Sequence, residues 1–160
     1  MSVRTDKLVD LFVEKLRAAE VSVQRGDNAA RLGEIEAKLP KRFPTSFGSL
    51  LARYSFDAFD LGGIYWFAWN SDPRAYFNGA SAVEGSLSEV LMPAGYVQIG
   101  QPEGGSFDAV CFDMNERKQN REYRIVQIDH EEILIHRRIK IRQELWGSFY
   151  KLVEHQLSLP

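Results

Sequence analysis

The spacing of apolar residues changes twice along this chain, and that change restricts the fold more than any other feature. In the first third, Leu8, Leu11, Phe12, Leu16 and Ala19 recur at helical spacing, which predicts an amphipathic helix from Asp6 to about Glu20. Gly26-Asp27-Asn28 breaks the chain. Asp27 or Asn28 can cap a second helix that sets Leu32, Ile35 and Leu39 on one face and stops at Pro40. A third, short helix is expected after Pro44, with Thr45 or Ser46 as cap and Phe47, Leu50, Leu51 and Tyr54 turned inward. The middle is β-branched and aromatic. Gly62-Gly63 precedes a strand running from Ile64 to Asn70, and Asn70-Ser71-Asp72-Pro73 turns the chain after it. Ser86 to Met92 is expected as a short helix ended by Pro93, and Tyr96 to Ile99, Phe107 to Asp113 and Tyr123 to Asp129 as strands. From Leu145 the helical period returns in Leu145, Phe149, Leu152, Val153 and Leu157.

Strands joined by short loops favour an antiparallel sheet, with the helices packed before and after it. The expectation is an α+β fold in one compact domain, with residues 1–28 as an N-terminal helix or extension and 29–160 as the main body. A length of 160 residues suffices for one hydrophobic core. Cys111 is the sole cysteine, so no internal disulfide can form, which fits a reducing compartment. The first residues carry charges through their apolar pattern and lack an uninterrupted run of signal-peptide length. No stretch approaches the roughly 20 apolar residues of a membrane-spanning helix. A cytoplasmic location is therefore expected, with no membrane partner.

The net charge of −2 is unevenly spread. Asp57, Asp60, Asp72, Glu84, Glu89, Glu103, Asp108 and Asp113 face Arg74 alone between Ser55 and Asn115, while both flanks are net basic. Nucleic-acid binding would need a concentrated basic surface and is not expected. Two readings of the acidic stretch stand. Its carboxylates either keep loops and strand edges soluble or form a face for a basic protein partner.

Sequence motifs give little support to catalysis. In His130-Glu131-Glu132 the position one helical turn after His130 is Leu134, and the next histidine is His136, so a zinc-protease pair is not formed. Cys111 lies among apolar neighbours, the setting of a buried small hydrophobe rather than of a thiolate. Gly104-Gly105-Ser106 lacks a following Lys-Ser/Thr and suits a hairpin loop. No nucleophile elbow occurs, and no metal, cofactor or catalytic residue is assigned. Arg137, Arg138, Lys140 and Arg142 alternate with apolar residues, as on an edge strand or a helix lead-in with a solvated basic face.

The aromatic strand is more informative. Strict alternation would point Trp66 one way and Tyr65, Phe67 and Trp69 the other. Either both faces are covered, or one set lines a groove for a partner, since Trp and Tyr are enriched at binding hot spots. Tyr65, Trp66 and Trp69, with Asp57, Asp60 and Asp72 around them, form the candidate partner-binding surface.

Leu32-Gly33, Leu39-Pro40 with Phe43 and Phe47, the strand around Trp66, the segment Phe107 to Asn115, and Trp146 with Ser148-Phe149 together resemble the SUKH superfamily of Smi/Knr-type domains. The resemblance runs from about Ala29 to Leu157. It departs where Tyr54-Ser55-Phe56 is followed by a longer stretch before Gly62-Gly63. It implies a non-catalytic binding protein without cofactor. Members include bacterial immunity proteins that neutralise polymorphic toxins, nucleases among them, and scaffold-like regulators of fungal cell-wall synthesis that recruit a cellular protein. The matching residues are mostly packing residues, so the resemblance transfers no catalytic set.

Overall fold

In the computed structural model, which describes residues 3–70, 86–117 and 121–160, strands that follow one another in sequence also lie side by side. β3 (Phe59–Leu61), β4 (Ile64–Trp66), β5 (Tyr96–Pro102), β6 (Ala109–Asp113), β7 (Ile125–Ile128) and β8 (Ile141–Trp146) form one antiparallel six-stranded sheet in that order. A separate two-stranded pair joins β1 (Val23–Arg25) to β2 (Tyr54–Phe56). The helices among the described residues are α1 (Val3–Ala18), α2 (Ala29–Glu36), α3 (Thr45–Arg53), α4 (Ser88–Leu91), α5 (His130–His136) and α6 (Phe149–Ser158). This is the expected α+β class with an antiparallel sheet.

The sheet is covered on both faces over its central strands, and β6 is buried at every position. One face sends Ile64, Trp66, Val97, Ile99, Val110 and Phe112 against α1, α3 and α6. The other packs Ala109, Cys111, Val126 and Ile128 against Leu91 of α4 and Ile133 of α5. Helix α1 is no appendage. Its Val9, Phe12, Val13 and Leu16 are buried in the main core, and it packs on α3 and α6.

Several local expectations are corrected. Neither Thr45 nor Ser46 caps α3, because the cap position falls on Pro44. Its first turn is satisfied instead by Glu122, which accepts from Ser46 N at 3.0 Å and Ser46 Oγ at 2.5 Å. The same buried carboxylate accepts from Tyr150 N in the first turn of α6 at 3.3 Å, so it serves two helix N-termini. Leu145 and Trp146 end a strand rather than begin a helix. Gly147 separates the two elements, and Ser148 caps α6 by accepting from Lys151 N at 3.0 Å. The strand expected to run to Asp129 ends at Ile128, and His130 opens helix α5, which Asp129 caps by accepting from Glu131 N and Glu132 N. Helices α4 and α5 therefore fall between strands in the chain, not only before and after the sheet. Among the described residues, no helix is long and apolar enough to cross a membrane.

Cys111 is fully buried in β6, where burial, and then the Asp113 charge, push its thiol well above the ordinary range. A water-soluble thiol reagent is therefore expected to leave the folded protein unmodified and to label it stoichiometrically after denaturation, as read by mass spectrometry. Labelling in native buffer at the denatured rate would contradict this burial.

Candidate partner-binding face

The β3–β4 turn is made by Gly62 and Gly63, both at positive φ, as a tight two-residue hairpin requires. This turn fixes the register. Asp60 lies opposite Tyr65, and Tyr65 lies opposite Gln101 of β5. Cross-strand partners share a face, so these three side chains form one row across the edge of the sheet. Their neighbours Phe59 and Trp66 pair on the core side. Asp60 is exposed and Tyr65 is 41% exposed.

The row leads into a groove of about 490 Å³ that Gln101 lines together with Leu87, Phe107, His130 and Leu134. Phe107 and Leu134 are 69% and 63% exposed. The Phe107 ring meets the His130 ring edge-on at 6.1 Å. The face thus combines a carboxylate, a tyrosine and two large, exposed apolar side chains.

A polar cluster lies at the wall of this groove. Asp108 is buried, and its Oδ1 accepts from His130 N at 3.0 Å and His130 Nδ1 at 2.6 Å. Its Oδ2 accepts from Gln127 Nε2 at 2.7 Å and forms an ion pair with Arg142, whose Nε lies 2.9 Å away. Arg142 also reaches Asp129 Oδ2 at 2.9 Å. Burial raises the Asp108 pKa, but the hydrogen bonds from His130 and Gln127 and the Arg142 charge outweigh it, so the carboxyl stays below its usual range. Asp108, Asp129 and His130 present possible metal-ligand atoms within 4.8 Å of one another. All four carboxylate oxygens already have a hydrogen-bond or ion-pair partner, and the Arg142 guanidinium stands where a cation would bind. A metal would have to displace it. The cluster instead pins β6, β7, α5 and β8 together and holds the imidazole at the groove.

The residues expected at the partner surface are divided by the fold. Asp60 and Tyr65 are brought together on it. Trp66 and Trp69 are 2% and 0% exposed and belong to the core. The Trp66 ring lies 5.9 Å from Phe47, 6.1 Å from Phe59 and 5.6 Å from Phe149. Strict alternation fails for Trp69 because β4 ends at Trp66. Trp69 then bridges to Phe56 and donates its Nε1–H to Leu51 O at 2.8 Å. Asp57 is exposed but lines a different groove, with Ser22, Asn28 and Arg31. Asp72 lies outside the described residues. The acidic stretch is not one face either, since Asp108 and Asp113 are buried against Arg142 and Arg124. Sequence reasoning missed Phe107 and Leu134. The Asp129-x-x-Glu132 spacing is a helix-start signal that could have revealed α5 and, with it, the outward turn of Leu134.

Among known proteins, no family model and no curated protein matches the chain, so the resemblance of its motifs rests on the residues quoted for it. Fold and site together define an α+β domain with one exposed face of mixed apolar and acidic character.

Proposed function

We propose that this chain is a non-catalytic, SUKH-type protein-binding domain, an immunity protein that neutralises a polymorphic toxin in the cytoplasm by direct binding. The observation that supports this reading best is the exposed row and groove formed by Asp60, Tyr65, Phe107 and Leu134. An apolar centre with a charged rim is the usual anatomy of a protein interface. Tyrosine supplies a large contact area at low entropic cost and is enriched at hot spots. A nuclease toxin holds phosphates with basic residues, and Asp60 can meet such a basic rim. Inhibition on this reading is stoichiometric and needs no cofactor.

Tyr65→Ala is expected to weaken toxin binding about tenfold or more, a loss of about 1.4 kcal/mol or more. Asp60→Lys is expected to slow association with the basic partner, most clearly at low salt. Surface plasmon resonance reads both effects, with melting curves confirming the fold. If both variants bind as the parent does, the partner docks elsewhere.

A further inference from the structure

A further groove, between α1 and the β1–β2 pair, carries more cations than anions. Lys7, Asp10, Leu11, Glu14 and Arg17 are spaced to share one face of α1, opposite the buried Val9, Phe12, Val13 and Leu16. That face looks onto the β1–β2 pair, where Arg25 is the cross-strand partner of Tyr54. The groove between them has a volume of about 500 Å³, the size of a small-ligand pocket.

Its charges are unequally matched. Asp10 accepts from the Tyr54 hydroxyl at 2.5 Å and from Arg53 Nη1 at 2.7 Å. Arg53 also lies 3.7 Å from Asp6. Glu14 is taken by Arg17 at 2.8 Å. Arg25 donates to the Tyr54 hydroxyl at 3.4 Å and stands 5.7 Å from its ring. Among the described residues, neither Arg25 nor Lys7 has a carboxylate at ion-pair distance. The Arg25 charge acts on Asp10 from beyond ion-pair distance, and the two cations border a groove whose wall includes Leu11, 59% exposed, and the otherwise buried Tyr54.

We propose that the groove between α1 and the β1–β2 pair binds a small monoanion with an apolar body. Arg25 and Lys7 take the negative group, and Leu11, beside the largely buried Tyr54, takes the apolar part. The guanidinium suits a carboxylate because its forked donors match the two oxygens. The hydrogen bonds that Asp10 accepts from Tyr54 and Arg53 hold the ring, and neither Arg25 nor Lys7 is closed off by a carboxylate at ion-pair distance. The carboxylate can belong to a free aromatic acid or to a peptide C-terminus with an apolar last residue.

The test is a ¹⁵N NMR titration of the full chain with 2-naphthoate, with neutral 2-naphthamide, and with the peptide Gly-Gly-Ser-Ala-Leu bearing a free C-terminus. Shifts confined to the exposed face of α1 and to β1–β2 are expected with naphthoate, the peptide or both, and the tighter of the two identifies the source. Naphthamide should bind about tenfold more weakly than naphthoate, and Arg25→Gln should reduce anion binding by about the same factor without moving the melting temperature. Equal binding of acid and amide, shifts elsewhere on the molecule, no binding by either anion, or an unaffected Arg25→Gln variant would overturn the proposal.

Discussion

Trp66→Ala is expected to lower the unfolding free energy by about 3–5 kcal/mol, the range for removing a large aromatic from a packed core. Trp66 is closely surrounded by Phe47, Phe59 and Phe149, and its Nε1–H donates to Leu61 O at 3.1 Å. The cavity left behind would be lined by rings that cannot collapse together without disturbing α3 and α6. Urea denaturation measures the loss as a lower midpoint at an unchanged slope. Tyr65→Ala, one residue away, is the control. Its ring points to the other face, so the loss should be about 1 kcal/mol or less. Equal losses for the two variants would contradict the assignment of faces on which the binding proposal depends.

The second large effect concerns Asp108. Asp108→Asn is expected to cost about 2–3 kcal/mol at neutral pH, since hydrogen bonds to a charged group are lost from a buried site. Part of this loss falls on the half-exposed Arg142, which keeps Asp129 as a partner. The pH dependence has a definite sign. The carboxyl lies below its ordinary range in the folded state, so its ionised form contributes stability above the unfolded value of about 3.9. That contribution disappears as pH falls through the lower, folded value. The parent should therefore lose stability below about pH 4 more steeply than Asp108→Asn, whose acid limb is flatter. Parallel acid limbs in urea denaturation from pH 7 to pH 2.5 would show that Asp108 contributes no ionised stabilisation.

The legible parts of the fold were those with enough residues to display a period or an apolar run. Helix α1 buries one face at helical spacing, and strands β5, β6 and β7 are short, largely apolar runs bounded by turn residues, both of which the sequence carries on its own. The three-residue strands β1, β2 and β3 are too short for that, and they exist because Tyr54 to Phe56 and Phe59 to Leu61 find partners far along or just across a turn. Helix α5 is only seven residues long, too short to display a helical period, and Asp129 with Glu132 is its one start signal. At the candidate face, the standing of Asp60 opposite Tyr65 depends on the β3–β4 hairpin, whose first strand has no period to read. The two residues were legible only as an acid and a member of the aromatic cluster it flanks. Phe107 and Leu134 were not, since their exposure depends on how far α4 and α5 cover the sheet. Trp69 shows the same limit from the other side. One bridge to Phe56 places it in the core.

Calorimetric titration of the chain with the product of the neighbouring gene, at low and high salt, tests the binding account most directly. The account predicts one-to-one association that weakens as salt screens the Asp60 rim, and that weakens further in Tyr65→Ala. Absence of binding to that product, or tight binding indifferent to both salt and Tyr65→Ala, would contradict it.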